Sequence, residues 1–283
     1  MRRLLILVPV WAWLLAFVAA PAVILLGIAL GQSTEGIPPF APPVGPGLVW
    51  QGSLGNFATL FEDEFYFDSL LRALRIATST AALALLLGFP MALAIARAPR
   101  ARQALLLALV LLPFWTGFLL RMGAFIGLLR DQGLINGLLI GLGVVQEPLP
   151  LLYTEGAMLA GMLHAYLPFA VLPLYAALSR LDPVLEQAAM DLGATPGAAF
   201  RTVTLPLALP GIIAGFLLVF IPAAGEFVIP ELLGPSEALP VGRVLWQEFF
   251  QNRDWPLAAA LAVALLVLLI LPIRLFQRLE SRA

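Results

Sequence analysis

The chain has 283 residues, 61% hydrophobic and only 12% charged, with a formal net charge of −1 and a mean hydropathy of +0.97. Soluble domains run at about 45–50% apolar and about 25% charged, so a water-soluble globule is excluded and the bilayer is the expected solvent. There is no cysteine and all 16 basic residues are arginine, which removes disulfides, thiolate metal sites, lysine Schiff bases and any G-x-x-x-x-G-K-[ST] phosphate loop; if nucleotide energy drives this protein, another chain binds the nucleotide.

A membrane-spanning helix needs about 20 mostly apolar residues. Six runs qualify: residues 4–30, 70–96, 104–129, 157–178, 207–229 and 256–276. The first follows Arg2 and Arg3 and carries small residues at Ala19–Ala22, as a secretory signal does. Its apolar run exceeds the roughly 7–15 residues of a signal core, so it is expected to stay as an anchor. Residues 31–68 are rich in proline and glycine, then turn aromatic and acidic at Phe61–Phe67. They are expected to form a structured outer loop. The third run holds Pro113, Trp115 and a charge, Arg121. Residues 132–153 hold several glycines and Asn136 and suit a short element lying on the membrane. The fourth run carries His164, Tyr166 and Pro168, and the fifth carries Pro222 and Glu226, with Pro230 and Glu231 just beyond it.

Arginine concentrates on the cytoplasmic side of short loops. With the N-terminus inside, Arg2, Arg3, Arg97, Arg100, Arg102, Arg180, Arg201, Arg274, Arg278 and Arg282 are cytoplasmic. The opposite side holds most acidic residues and only Arg130, Arg243 and Arg253, with Arg72 and Arg75 near the start of a helix. Both termini are therefore expected in the cytoplasm, as is the polar island at 180–206.

That island has two helix starts. Asp182-Pro183 and Thr195-Pro196 each put a capping oxygen before a proline at the first helical position. Leu185, Ala188, Ala189 and Leu192 fall on one face at helical spacing. Gly193 suits the left-handed residue that ends a helix. The second short helix is expected to stop at Leu205-Pro206. On caps alone, an ordinary helical hairpin and a docking element for another protein fit equally well.

Ionisable groups inside a span usually mark a pathway or are paired. Glu226, flanked by Pro222 and Pro230, is the first candidate for a cation site, with Glu231 beside it and the aromatic faces of Trp115 and Tyr166 able to add cation–π attraction. The alternatives are that Glu226 neutralises Arg121, that Trp115 packs at the membrane boundary, and that His164 packs rather than relays protons. One histidine cannot build a metal site, and Asp131 and Asp254 read as solvated outer charges. Catalytic and cofactor residues are expected to be absent.

The island resembles the Glu-Ala-Ala loop of bacterial ABC-importer permeases. There a Glu-Ala-Ala triplet precedes a glycine, and an Ile-x-Leu-Pro group follows. Here the alanines are Ala188 and Ala189, the glycine is Gly193, and the closing group is Val203-Thr204-Leu205-Pro206. The acidic position holds Gln187, with Glu186 one residue before it. Leu112–Thr116, Gly225–Gly234, Gly242–Phe250 and Asn252–Pro256 are similar to the polyamine permeases, most of all to those for putrescine.

This resemblance implies an all-α polytopic membrane protein of the type I importer fold, one permease domain over 1–283 with six transmembrane helices and cytoplasmic coupling helices. It implies contact with the ATPase through Glu186, Gln187, Ala188, Ala189, Asp191, Gly193, Leu205 and Pro206. The implied partners are a sister permease, two ATP-binding subunits and a periplasmic binding protein that delivers a polyamine. A secondary transporter or channel, self-sufficient and needing no docking island, is the competing expectation.

Overall fold

A computed structural model describes residues 2–237 and 239–280, and side chains over 7–237 and 239–274. The orientation signals of the Arg2, Arg3 and Arg278 side chains and of Arg282 lie outside this described part. The chain divides into two compact units, Met1–Leu71 with Val241–Leu271, and Arg72–Pro240 with Pro272–Ala283.

In the first unit α1 (Arg2–Leu14) runs through a π-turn, Leu15–Ala19, into α2 (Ala20–Ala29). The π-turn ends just before Ala20-Pro21. Proline lacks an N–H and its ring crowds the carbonyl four residues back, and a wider turn relieves both defects without ending the helix. The chain then reverses at Gly31, where a Cβ would lie 2.6 Å from the Ala41 carbonyl oxygen. A two-stranded antiparallel hairpin follows, β1 (Gln32–Ser33) on β2 (Phe40–Ala41), with Gln32 opposite Ala41. Its closing helix α3 (Gly55–Glu62) sends the Asn56 amide back to the carbonyls of Ala29 at 2.8 Å and Gly31 at 2.9 Å. Those are orphan acceptors at the end of α2, so one side chain fixes the hairpin to the first span.

Helix α4 (Glu64–Arg97) begins six residues before the expected second span. Asp63 Oδ1 accepts the Phe65 N–H at 2.9 Å and starts the helix early. The amphipathic helix α13 (Val241–Phe250) and α14 (Trp255–Glu280) as far as Leu271 complete this unit. Glu248 is 6% exposed and satisfied on both oxygens, by the Tyr66 hydroxyl at 3.0 Å and the Asn252 amide at 2.9 Å. Trp255 stacks on Phe249 with ring centres 4.8 Å apart.

The second unit contains the rest of α4 and the helices α5 (Arg100–Leu111), α6 (Phe118–Leu129), α7 (Leu134–Gly141) and α8 (Glu155–Leu178). After the island come α9 (Pro183–Asp191), α10 (Pro196–Ala199), α11 (Leu205–Ala224) and α12 (Val228–Leu233). Glycines set its closest approaches. A Cβ on Gly211 would lie 2.5 Å from the Ala177 Cβ, and one on Gly215 would lie 3.2 Å from the Ala170 carbonyl oxygen. The α8–α11 pair therefore packs backbone to backbone, the contact that small residues permit between membrane helices. Gly161 makes room for side chains of α12, where a Cβ would meet Leu233 Cδ1 at 2.5 Å and Ile229 Cγ2 at 3.2 Å. Ala92, Ile95, Val171, Leu174, Leu178 and Ala208 form the buried cluster where α4, α8 and α11 meet.

Three sequence expectations need correction. The third run is not one straight span over 104–129. It breaks at a 3-10 turn, Leu112–Trp115, and the helices on either side are bent by 85°. Pro113 cannot continue the hydrogen-bond ladder, and Thr116 and Gly117 are extended. The second island helix does not stop at Leu205-Pro206: α10 runs through a π-turn, Phe200–Thr204, into α11 as one helical stretch, Pro196–Ala224. Here too the π-turn ends directly before the Leu-Pro pair. The fifth span ends at Ala224 rather than Ile229, because Gly225 breaks the helix and α12 restarts it. Among the described residues, five helices are long and apolar enough to cross a membrane, or six if the bent pair is counted as one. The short element expected within 132–153 is α7, held by Asn136, whose amide and carbonyl pair with the Leu149 backbone at 2.9 Å each.

Candidate functional site

The island folds as its caps dictate. Asp182 Oδ1 accepts the Val184 N–H at 3.0 Å, and Thr195 Oγ1 accepts the Ala198 N–H at 3.3 Å. Gly193 has φ +94°. Around it the Ala194 N–H reaches the Ala189 carbonyl at 3.0 Å and the Gly193 N–H the Met190 carbonyl at 2.9 Å, the pair of bonds that closes a helix on a left-handed residue. Gln187, Ala188, Asp191 and Leu192 are exposed, with Leu192 at 90%. Leu205 and Pro206 are also exposed and lie inside the continuous helix instead of terminating it.

Glu186 differs from its exposed neighbours. Both its oxygens take Arg97 Nη2, at 2.7 and 2.8 Å, and Oε1 also accepts the Thr204 hydroxyl. Beside this contact lies a cavity of about 480 Å³ lined by Arg97, Arg100, Gln103, Asp182, Glu186 and Thr204 among others. Gln103 closes the end of α4, donating to the Ala96 and Ala98 carbonyls at 3.1 and 2.9 Å while accepting the Tyr175 hydroxyl at 3.0 Å. Arg97, Thr204 and Gln103 were missed by sequence reasoning, since nothing in local spacing connects Glu186 to Arg97, 89 positions away, or to Thr204, 18 positions away.

The second group of candidates lies at the break between α11 and α12. Tyr166 on α8 donates its hydroxyl to Glu226 Oε2 at 2.5 Å. Glu226 Oε1 accepts the N–H groups of Phe227 at 3.1 Å and Val228 at 2.9 Å. The carboxylate thus caps α12 and receives protein donors on both oxygens. Two expected residues are therefore joined. Glu231 is exposed on α12. Trp115 is 80% exposed and makes no ring contact among the described residues; its neighbour Phe114 packs edge-on against Phe169, which adjoins Tyr166. Arg121 does not pair with Glu226: its guanidinium lies 5.3 Å from the Phe114 ring centre and 5.8 Å from that of Phe118, and its buried Nε and Nη1 have no hydrogen-bond partner. His164 packs against Phe125 with ring centres 5.4 Å apart. Among the described residues no group of three or more histidine, cysteine or acidic side chains is placed to hold a metal.

Comparison with known proteins identifies the family and the fold. Residues 4–283 match the family described as binding-protein-dependent transport system inner membrane component. The spermidine/putrescine transport system permease protein PotB of Haemophilus influenzae is 36% identical over 269 residues, covering 95% of this chain and 91% of the relative. PotB of Escherichia coli is 35% identical over 272 residues, covering 96% and 95%. In fold, the chain is similar to a bacterial ABC transporter involved in the import of the acidic polysaccharide alginate, with a TM-score of 0.69 at 21% identity over 98% of this chain and 95% of that one. A bacterial alginate transporter in complex with an alginate-loaded periplasmic protein gives a TM-score of 0.70 at 19% identity, over 98% and 93%. The chain belongs to the inner-membrane permeases of binding-protein-dependent ABC importers, has their type I fold, and is a non-catalytic transport subunit homologous to the polyamine permeases.

Proposed function

We propose that this chain is one half of the membrane path of an ATP-driven polyamine importer, with putrescine as its substrate. The observation that carries the reading is the 35% identity to spermidine/putrescine permeases over nearly the whole chain. A carboxylate at a helix break beside an aromatic hydroxyl suits an alkyl diammonium and opposes sulfate or phosphate. A sister permease would complete the path, a periplasmic protein would deliver substrate, and two ATP-binding subunits would supply the energy that a chain without lysine cannot take up by a phosphate loop of its own. The termini and the island lie on the cytoplasmic side in this reading, and the exposed face around Ala188 and Leu192 docks on the ATPase.

The island does no chemistry. Nucleotide binding on the partner favours one arrangement of the two permease halves only by its difference in binding between the two states. The test is reconstitution of the chain with its genomic neighbours and measurement of ATPase stimulation by a panel of loaded binding proteins. Stimulation by a putrescine-loaded protein is expected. Stimulation confined to sugar- or anion-loaded proteins, or transport by the isolated chain, would overturn the reading.

A further inference from the structure

We propose that Arg97 and Thr204 are positioning residues for energy coupling: with Glu186 they lock α9 to the ends of two spans, so that the coupling helix and those spans move as one body. This rests on the coupling role of the island given above.

The geometry joins three separate parts of the chain at one carboxylate. Arg97 is the last residue of α4, Glu186 is in the first turn of α9, and Thr204 is the last residue of the π-turn that leads into α11. Each charge lies at the helix end that favours it, the cation where carbonyls are exposed and the anion where N–H groups are exposed. Thr204 is 3% exposed and gives its hydroxyl to Glu186. It also falls on the same stripe of α11 as Ala208, Gly211 and Gly215, at spacings of four, three and four, and that stripe carries the closest approaches to α8. A displacement of α9 is thus passed through one side chain to the end of α4 and to the packed face of α11.

The lock also gives a physical reason for Gln187. The family motif has its acid at this position, where the side chain here is exposed and neutral. The negative charge stands one residue earlier and turns inward. In this chain the acid fastens the coupling helix to its own membrane helices, and the outward contact at that position is uncharged.

The experiment uses the complete transporter in proteoliposomes and reads ATP hydrolysed per substrate imported. A charge-assisted contact at a half-exposed site shifts an equilibrium by roughly three- to tenfold. Glu186→Gln, Arg97→Gln and Thr204→Val are each expected to raise the ratio by about that factor. Thr204→Ser, which keeps the hydroxyl, is expected to leave it unchanged. The exchange Arg97→Glu with Glu186→Arg is expected to recover only part of the loss seen with either charge reversal alone, because the swapped charges oppose both helix ends and an arginine at position 186 offers Thr204 no acceptor. If uptake and hydrolysis fall in parallel at a constant ratio, or if Thr204→Ser and Thr204→Val behave alike, the lock is overturned and the contacts are structural only. The coupling role is checked separately. The chain has no cysteine, so Gln187→Cys or Leu192→Cys gives a single site for cross-linking to the ATPase. Absence of any cross-link overturns the docking role, whereas capture with unchanged ratios overturns only the lock.

Discussion

Gly193 provides the sharpest test of the island. Its φ of +94° is a backbone conformation that L side chains rarely adopt, yet a Cβ built there would meet nothing within 4 Å. Substitution therefore carries no steric clash with the rest of the protein, and the whole penalty is conformational. For an ordinary residue this amounts to about 1–2 kcal/mol, or a roughly five- to thirtyfold shift in the population of the correct elbow. Asparagine tolerates positive φ far better than alanine or a β-branched residue. Uptake by the reconstituted transporter is expected to fall in the order glycine, asparagine, alanine, valine, with the amount of inserted protein constant on immunoblots. Gly193→Pro, whose ring fixes φ near −65°, is expected to abolish transport while still inserting. Equal activities for Gly193→Asn and Gly193→Val would refute the argument, because space rather than backbone conformation would then be what matters.

The remaining predictions concern the path and the packing. Glu226→Gln is expected to reduce polyamine uptake strongly while basal ATPase activity changes little, and unchanged uptake kinetics would remove Glu226 from the site. Tyr166→Phe deletes a 2.5 Å hydrogen bond to a carboxylate, a contact worth about 1.5–3 kcal/mol; at this half-buried position the lower end applies, so uptake is expected to drop about tenfold or less. Gly211→Val places a methine 2.5 Å from the Ala177 Cβ and 2.9 Å from the Pro173 carbonyl oxygen, neither of which is a flexible side-chain end. Overpacking of this kind costs about 1–3 kcal/mol, seen as a lower midpoint in thermal size-exclusion assays, whereas Gly127→Ala, with nothing within 4 Å, is expected to be silent.

What the sequence revealed and what it hid divide along physical lines. The island was legible because caps are local: Asp182-Pro183, Thr195-Pro196 and Gly193 each act on backbone groups within three residues of themselves. Hydropathy located five spans well, since crossing a bilayer is a matter of composition and length. It overlooked the 85° bend at Pro113–Gly117 because apolar content does not register direction. Proline misled in the opposite sense at Pro206, where a π-turn took up the misfit and the helix continued. The amphipathic α13 has a readable period in VGRVLWQEFF. Glu226 was found by its position in an apolar run, but its donors were not, because Tyr166 is sixty residues away.

If Glu226 lines the path as proposed, the cap on α12 bears on how long a passenger stays. Oε1 of Glu226 is committed to two backbone N–H groups and Oε2 to the Tyr166 hydroxyl. An ammonium that reaches this carboxylate meets an anion already solvated by protein, with much of its field spent. Transport demands a well deep enough to admit the ion and shallow enough to release it. A bare carboxylate in a dry cleft would trap a diammonium; one with its lone pairs partly occupied makes a stepping stone. On the path proposed above, the donors that hold the helix break together would also shorten the stay of a cation at Glu226, so that the start of a six-residue helix would tune passage.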